Sequence, residues 1–374
     1  MIFCVECVMN TSDPNIAFDD QGVCNHCHKA KTKILRYYFK KEQETENLSR
    51  LAASIKKRKV GEYDSILGLS GGVDSSYVAY LAMKMGLNPL CVHFDNGWNS
   101  DVAVKNIRNI IDKTGFDLFT FVIDWPEFRD LQRAFLKAGV VDIEILSDHA
   151  IFASLFKIRR RHGITTVLSG TNYTTEHGMP GSWVWPKMDL RNIKAIHKRF
   201  GDKKIKTFPT MSNFSWSLMK RFDLGGTWAE PLDLITFRKH DAMALLQEEF
   251  GWQYYGGKHY ESVFTKFYQA YILPSKFNID KREVHLSALI RNGEISREQA
   301  VSELQAPLYK ASELKRDKTF VLKKLGFTEQ EFDEMMLKDP VPHDFYPTDQ
   351  KLMLRLTKIG KAIFGTKNKI TLDR

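Results

Sequence analysis

Short apolar runs alternate with amphipathic segments through the first two thirds of the chain. Five of these runs have the length and composition of buried strands, and they span residues 66–69, 89–94, 117–124, 164–169 and 227–232. Between them, apolar positions recur at helical spacing, which predicts helices over 99–113, over 147–161 with Ser147 as N-cap, and over 236–250. Strands that alternate with helices in this way indicate an α/β domain built on a parallel sheet.

The first strand runs into a glycine-rich turn, Ser70-Gly71-Gly72-Val73-Asp74-Ser75, and an amphipathic helix follows directly. Adjacent glycines let backbone N–H groups approach an anion, and the helix N-terminus adds partial positive charge. The turn is therefore predicted to hold a phosphate group. It lacks the lysine and the spacing of the Walker loop, and it is not the dinucleotide Gly-x-Gly-x-x-Gly pattern.

Asp74 is unusual in such a turn, because a carboxylate repels phosphate unless a divalent cation lies between them. We interpret Asp74 as a Mg²⁺ ligand or as a group that orients the attacked pyrophosphate. An ordinary acid in the first turn of a helix is the alternative. The whole turn resembles the loop of the PP-loop, or N-type, ATP pyrophosphatases. That resemblance implies a HUP-like parallel sheet and cleavage of ATP between its α and β phosphates, which leaves a substrate oxygen adenylated for attack by nitrogen or sulfur.

Two further strand ends carry polar residues that are candidates for contact with the nucleotide. Asp95 follows the second strand, and since ligands of open α/β sheets bind where strands end, this turn is predicted to flank the adenosine. The fourth strand is followed by Gly170-Thr171-Asn172 and then Glu176, which resembles the Gly-Thr-x-Asn-x-x-Glu turn of N-type enzymes such as NAD synthetases. The resemblance implies that the threonine and the acid lie beside ATP and its metal, so Glu176 is a second Mg²⁺ candidate. A solvated surface loop is the alternative.

Four of the five cysteines lie near the N-terminus as two Cys-x-x-Cys pairs, Cys4 with Cys7 and Cys24 with Cys27. Two such pairs present four thiolates to one ion, which predicts a closed, structural zinc site. His26 and His28 are possible substitute ligands. The fifth cysteine, Cys91, lies within a predicted strand, where a buried inert thiol is a better interpretation than a nucleophile.

The composition is typical of a globular protein, with an excess of basic over acidic residues. The 374 residues are 43% hydrophobic and carry a formal net charge of +10. No run approaches the roughly 18 to 20 apolar residues of a membrane span, and the N-terminus lacks a secretory signal pattern. We therefore expect a cytoplasmic protein. The charge favours anionic small substrates and hints more weakly at nucleic acid.

The chain divides into three predicted regions. Residues 1–60 form the zinc-binding knuckle and linker helices, 61–250 the PP-loop domain with an insertion at 181–226, and 251–374 a helical C-terminal substrate or docking region. The insertion is rich in tryptophan, and either it covers the acceptor or its aromatic side chains form core. In the last region, Ser296 and Thr328 are predicted N-caps.

The C-terminal region also carries two stretches rich in cations. Lys258, His259, Lys281 and Arg282 could converge on pyrophosphate, or on the phosphates and carboxylate of an anionic sugar nucleotide. A solvated basic surface explains the same residues equally well. Sequence reasoning leaves both interpretations open.

The motifs taken together narrow the resemblance. Five motifs of this chain together resemble the N-acetyl sugar amidotransferases of bacterial surface-polysaccharide and flagellin-sugar biosynthesis. They are the cysteine pairs, the phosphate loop, Gly-Thr-Asn, the Tyr-Gly-Gly-Lys-His-Tyr-Glu-Ser run at 255–262 and the Asp-Lys-Arg-x-x-His-Leu-Ser run at 280–287. The resemblance implies ATP and Mg²⁺ as cofactors, with structural Zn²⁺. It also implies that ATP adenylates the amide oxygen of an acetamido group on a nucleotide-linked sugar, and that ammonia displaces AMP to give an acetamidino group.

The source of ammonia is implied to lie outside this chain. The zinc-site cysteines are committed and Cys91 lacks the context of a nucleophile, so we expect ammonia to come from separate subunits. The resemblance implies that these partners are a glutaminase subunit and an ammonia-channelling barrel subunit. The alternative enzyme is a PP-loop tRNA-modifying protein of the thiolation or lysidine type, although sulfur transfer usually needs a cysteine pair beyond the zinc set. A zinc-knuckle nucleic-acid-binding protein with a degenerate nucleotide site is the third interpretation, and the intact Asp74 and Ser75 argue against it.

Overall fold

A computed structural model describes residues 1–221, 226–257, 260–353 and 355. Its centre is a parallel five-stranded sheet in the order β3-β2-β1-β4-β5. The strands are β1 Ser65–Gly68, β2 Pro89–Asp95, β3 Leu118–Val122, β4 Thr166–Leu168 and β5 Thr227–Ala229. All five predicted strands are confirmed. The strand order reverses direction between β1 and β4, so the crevice beyond their carboxyl ends is the expected ligand position.

In the part of the chain that the structure describes, ten helices surround the sheet or precede it, and six follow in the C-terminal region. The first ten are α1 Asn25–Lys31, α2 Lys41–Lys57, α3 Val73–Lys84, α4 Asp101–Thr114, α5 Trp125–Ala138, α6 Ile145–Arg161, α7 Tyr173–Glu176, α8 Leu190–Phe200, α9 Asn213–Arg221 and α10 Lys239–Phe250. The last six are α11 Val263–Phe267, α12 Leu273–Phe277, α13 Lys281–Arg291, α14 Arg297–Gln305, α15 Ala311–Leu325 and α16 Glu329–Leu337. Among the described residues, no helix combines the length and apolarity that crossing a membrane requires.

Two predicted helix starts are wrong, whereas two predicted caps are confirmed. Ser147 lies inside α6, which begins two residues earlier, and its hydroxyl accepts a hydrogen bond from Asn96 at 3.3 Å. Thr236 stands outside α10 because its hydroxyl exchanges hydrogen bonds with the backbone of Phe39. In both cases a long-range partner takes the side chain that local sequence offers to a cap. Ser296 and Thr328 cap α14 and α16 with complete capping boxes.

Alternate residues of β1 enter different cores on the two faces of the sheet. Leu67 packs with apolar residues of α2, α3, α4 and α10, and Ile66 packs with Leu155 and Ile158 of α6. This period of two is what a doubly covered parallel strand requires. A further apolar cluster joins α5 and α8 to the C-terminal helices and extends to the four N-terminal cysteines.

The described part of the insertion at 181–226 packs as core. Trp183 is fully buried, Trp185 stacks on His343 with ring centroids 4.8 Å apart, and Trp216 meets Phe156 edge-on. The segment is also held by Glu127 of α5, whose carboxylate accepts hydrogen bonds from the backbone N–H groups of residues 206–208. Of the two interpretations of the insertion, the structure favours aromatic core.

Candidate nucleotide site and zinc centre

A cavity of about 200 Å³ opens where β1 and β4 end. Three segments line it together with Lys239 of α10: the phosphate loop, the turn after β4, and a C-terminal segment that begins after α10. The lining residues are Ser70, Gly72, Val73, Asp74, Ser75, Gly170, Thr171, Thr175, Glu176, Lys239, Tyr254, Tyr255, Gly257, Glu261, His285 and Leu289. The structure therefore brings together most of the predicted nucleotide contacts from two separate strand ends.

The phosphate loop is held in a conformation that only glycine adopts easily. Gly71 has φ of +81°, and a β-carbon there would lie 2.6 Å from the carbonyl oxygen of Ala103. Its own carbonyl accepts hydrogen bonds from Trp252 at 2.9 Å and Asn106 at 3.3 Å, so Gly71 shapes the loop from behind. The hydroxyls of Ser70 and Ser75 lie 3.2 Å apart across the mouth of the loop. Helix geometry leaves the first N–H groups of α3 without intrahelical acceptors, and Val73 and Asp74 of this first turn line the cavity.

The turn after β4 lies directly against this loop. A β-carbon on Gly170 would stand 3.1 Å from the backbone nitrogen of Ser75, and Thr171 and Glu176 extend the lining. Asn172 is buried instead, and its Oδ1 accepts hydrogen bonds from the backbone and hydroxyl of Thr175 as the N-cap of α7. Asn172 thus fixes the shape of the turn and does not line the cavity.

Asp95 is likewise occupied by hydrogen bonds within its own turn. Its carboxylate accepts hydrogen bonds from the backbone of Gly97 at 2.8 Å and from the side chain of Asn99 at 3.1 Å. It closes the turn after β2 and does not line the cavity. The same region is braced by pairing between 98–100 and 261–263, since the backbone N–H of Ser100 donates to the carbonyl of Glu261 at 2.8 Å.

Several lining residues of the C-terminal segment were missed by sequence reasoning. The Tyr255 hydroxyl and the Glu261 carboxylate both approach Gly72, where a β-carbon would lie 3.2 Å and 3.4 Å from them. Burial raises the pKa of Tyr255 far above its ordinary value, and the nearby charges of Glu261 and Asp74 add to the rise. Tyr255 is therefore a neutral hydrogen-bond donor. Glu261 and His285 stand inside the two C-terminal motifs, so the signal was present, but positive charge directed the prediction to the cations of those motifs.

The predicted cluster of cations does not assemble at the loop within the described residues. Lys258 and His259 lie outside those residues. Lys281 forms an ion pair with Glu144 at 2.8 Å. Arg282 pairs with Asp280 at 2.8 Å and donates to the carbonyls that end α14. Lys281 and Arg282 do not line the cavity, because carboxylates and helix-end carbonyls of neighbouring elements hold them elsewhere.

The four N-terminal cysteines are buried, and their sulfur atoms all lie within 4.8 Å of one another. Sulfur atoms of Cys4 and Cys27 are 3.9 Å apart, and those of Cys7 and Cys24 are 3.7 Å apart. A tetrahedral zinc site with Zn–S bonds of about 2.3 Å has edges of about 3.8 Å, so the four sulfurs fit that ion. The predicted four-cysteine cluster is confirmed.

The neighbouring histidines and the fifth cysteine stay outside this cluster. His26 pairs with Asp13 at 2.8 Å and His28 pairs with Asp19 at 2.7 Å, so neither substitutes for a thiolate. Cys91 is fully buried in β2, and burial raises its pKa to about 12. A thiol with such a pKa is protonated and inert at neutral pH.

Comparison with known proteins assigns two parts of the chain. The model for asparagine synthase matches residues 47–171, and the model for the C-terminal domain of WbpG-like LPS biosynthesis proteins matches residues 261–360. The uncharacterized protein MJ1599 of Methanocaldococcus jannaschii is 24% identical over 308 residues, which cover 81% of this chain and 93% of that protein. A glutamine-hydrolyzing GMP synthase of Wigglesworthia glossinidia brevipalpis is 36% identical over 96 residues, 25% of this chain and 16% of its own length.

Among solved structures, the NMN synthetase of Francisella tularensis is similar with a TM-score of 0.30 and 16% identity, over 62% of this chain and 93% of that one. The two family matches fall on the two sides of the cavity, residues 70–75 and 170–171 on one side and residues 261, 285 and 289 on the other. They confirm the family that the motifs indicated. Residues 47–171 match the asparagine synthase model of the PP-loop ATP pyrophosphatase superfamily, and residues 261–360 match the C-terminal domain of the WbpG-like proteins of LPS biosynthesis.

Proposed function

We propose that the chain is an ATP-dependent amidotransferase that converts an acetamido group on a nucleotide-linked sugar into an acetamidino group, in LPS O-antigen or related surface-sugar biosynthesis. One observation carries the proposal: the phosphate loop and side chains of the WbpG-like domain line the same cavity. Asparagine synthase and GMP synthase share the loop region, and they join nitrogen to carbon at the expense of ATP. At this coarser level the chain is an ATP-dependent carbon–nitrogen ligase of surface-sugar biosynthesis.

The chemistry requires activation of an amide, because an amide oxygen is a poor leaving group. The amide oxygen attacks the α-phosphorus of ATP, pyrophosphate leaves, and the amide nitrogen loses its proton to give an adenylated imidate. Ammonia then adds to the imidate carbon, AMP departs with the former amide oxygen, and loss of one more proton leaves the amidine. Each step breaks one bond to a phosphate-bearing leaving group, so electrostatic stabilisation of phosphate is the main demand on the protein.

The loop side of the cavity supplies that stabilisation. The first N–H groups of α3, with Ser70, Gly72 and Ser75, hold the departing pyrophosphate. The neutral Tyr255 hydroxyl donates a further hydrogen bond beside Gly72. The carboxylates of Asp74 and Glu176 line the same space, a donor set that suits Mg²⁺, which would supply charge neutralisation there.

The C-terminal side of the cavity holds the acceptor. Tyr254 offers a half-exposed ring to the face of a sugar, while Glu261 and His285 offer hydrogen bonds to its amide and hydroxyl groups. Lys258 and His259 directly follow Gly257, which lines the cavity, and they stay predicted contacts to pyrophosphate or to the sugar nucleotide. Glu261 and His285 lie in the part of the chain that matches the LPS-biosynthesis family, whereas Tyr254 precedes it.

Ammonia is proposed to come from a separate glutaminase through a barrel-shaped partner. The matched GMP synthases hydrolyse glutamine. In this chain, four of the five cysteines form the cluster and the fifth is the inert Cys91. Glutamine alone is therefore expected to be a poor nitrogen donor for the purified chain, and free ammonium a good one.

The test is release of AMP and pyrophosphate by the purified protein with ATP, Mg²⁺ and ammonium, with and without a UDP-linked diacetamido sugar acid. We expect sugar-dependent AMP formation and a sugar product one mass unit lighter, as C=O becomes C=NH. Stimulation of AMP release by unmodified tRNA, with an unchanged sugar, would overturn the proposal in favour of RNA modification.

A further inference from the structure

Helix α13 contacts the N-terminal segment with one face and lines the cavity with another. Glu283, Ser287 and Arg291 recur every four residues on one face and meet the knuckle, defined as residues 1–28, which contains the four cysteines. His285 and Leu289, also four residues apart, line the cavity. Residues spaced by four share one side of a helix, so a single rigid element separates the zinc centre from the nucleotide site.

The knuckle is fastened to this helix by buried hydrogen bonds. The backbone N–H of Val8, next to Cys7, donates to the Ser287 hydroxyl at 3.1 Å. Asn10 and Ser12 donate to the two carboxylate oxygens of Glu283 at 2.6 Å and 2.9 Å. Loss of the knuckle would therefore leave several polar groups of α13 without partners, which is a costly state for buried groups.

Arg291 makes the most specific connection. Its Nε lies 3.3 Å from Sγ of Cys27, and its Nη2 lies 3.2 Å from Sγ of Cys7. A zinc ion with four thiolates carries a net charge of minus two, and Arg291 offsets half of it. Loss of the metal would release the sulfur atoms that Arg291 contacts, and the guanidinium would lose its fixed partners.

The same side chain also touches the turn after β4. Gly178, two residues after Glu176, has φ of +90°, and a β-carbon there would lie 2.9 Å from Nη1 of Arg291. Nη1 is buried and has no hydrogen-bond partner among the described residues, so it meets this turn by close packing alone. One guanidinium thus stands between the four sulfurs and the end of the segment that carries Thr171 and Glu176.

We propose that Arg291 is a positioning residue through which the zinc centre sets the shape of the nucleotide cavity, so that zinc and ATP bind with positive coupling. With zinc bound, the thiolates hold Arg291, and Arg291 holds both the end of α13 and the turn at 170–178. The inference rests on the proposed ATP site. By linkage, ATP must raise the affinity for zinc by the same factor by which zinc raises the affinity for ATP.

The test is zinc affinity, measured by chelator competition, with and without α,β-methylene ATP, which cannot be cleaved between those phosphates. In the wild-type protein the analogue is expected to raise zinc affinity about 5- to 150-fold. Arg291→Leu is expected to lower zinc affinity about 10- to 100-fold and to abolish the effect of the analogue. Arg291→Lys keeps the charge but loses the two-pronged contact, and partial coupling is expected.

Arg297→Leu is the matched control. Arg297 donates to the carbonyl oxygens of Cys4 and Cys7 at 3.1 Å and 3.2 Å, but it lies on α14 and contacts no sulfur among the described residues. Its loss is expected to leave the coupling intact. A zinc affinity of the wild-type protein that is the same with and without the analogue would overturn the inference. A folded Arg291→Leu protein in which the analogue raises zinc affinity as much as in the wild type would also overturn it. Failure of the zinc-loaded wild-type protein to bind the analogue would instead overturn the proposed ATP site, and the coupling with it.

Discussion

Gly170 lies so close to the first turn of α3 that a β-carbon on it would stand 3.3 Å from the β-carbon of Asp74. The nearest atoms to such a β-carbon are the backbone nitrogen of Ser75 and the carbonyl carbon of Asp74, which cannot rotate away. The absence of a side chain at Gly170 is therefore what lets the turn after β4 and the phosphate loop share one cavity.

Gly170→Ala is expected to push the two segments apart by a few tenths of an ångström. Because a misplacement of 1 Å can cost about 100-fold in rate, we expect kcat/KM for ATP to fall roughly 3- to 10-fold. Gly181→Ala is the matched control, since a β-carbon there meets nothing within 4 Å. Steady-state AMP release measures both variants, and equal kcat/KM values would contradict the close approach.

Asp74→Asn removes a charge from the cavity and keeps the shape of the side chain. If this carboxylate holds the cation that screens the pyrophosphate, AMP release is expected to fall at least about 100-fold, with zinc content and circular dichroism unchanged. Asp101→Asn is the control, because Asp101 is an exposed acid in the first turn of α4. Its loss is expected to cost only about 0.3–1 kcal/mol of helix stability. Similar activity in the two variants would show that Asp74 is an ordinary first-turn acid.

Lys281→Met separates a structural role from a phosphate-binding role. Lys281 and Glu144 are each about one-seventh exposed and form an ion pair at 2.8 Å. Removal of the cation leaves a mostly buried carboxylate, so we expect a loss of roughly 3 kcal/mol in the free energy of unfolding with little change in the KM for ATP. Adding Glu144→Gln is expected to restore most of the stability. A KM raised tenfold or more would instead place Lys281 at the nucleotide.

The protein is expected to become less stable as the pH is lowered, because protonation of His343 favours the unfolded state. Its Nδ1 donates to Asn192 at 2.8 Å, its Nε2 accepts from the backbone N–H of Asp142 at 3.3 Å, and burial lowers its pKa from 6.5 to about 3. The folded state therefore binds the proton less readily than the unfolded state. The contribution of the neutral ring is complete above pH 6.5 and is lost progressively as pH falls toward 3.

Between pH 7.5 and pH 5, this one group is expected to remove roughly 2 kcal/mol of stability, at about 1.4 kcal/mol per pKa unit. Urea unfolding at the two pH values measures the loss. His343→Gln can still accept the hydrogen bond from Asp142 but does not titrate, so its loss over the same interval should be smaller by that amount. An identical pH dependence in the two proteins would contradict a buried neutral His343.

The sequence by itself determined the elements whose causes are local. The five strands follow from apolar runs, the caps at Ser296 and Thr328 follow from side chains that reach a backbone N–H three residues on, and the glycine turn follows from backbone freedom. The four-cysteine cluster was predictable because each Cys-x-x-Cys pair brings two sulfurs to one point within a few residues.

Only the tertiary structure decided which side chains meet. Lys281 and Glu144 are 137 positions apart, and Ser287 meets Val8 across 279 positions, so no local pattern could assign those partners. Charge directed the sequence prediction toward Lys281 and Arg282, whereas the cavity takes Tyr255, Glu261 and His285. The physical reason is that a cation pairs with whichever carboxylate or helix-end carbonyl lies near it. The packing of segments that are distant in sequence determines which acceptor that is.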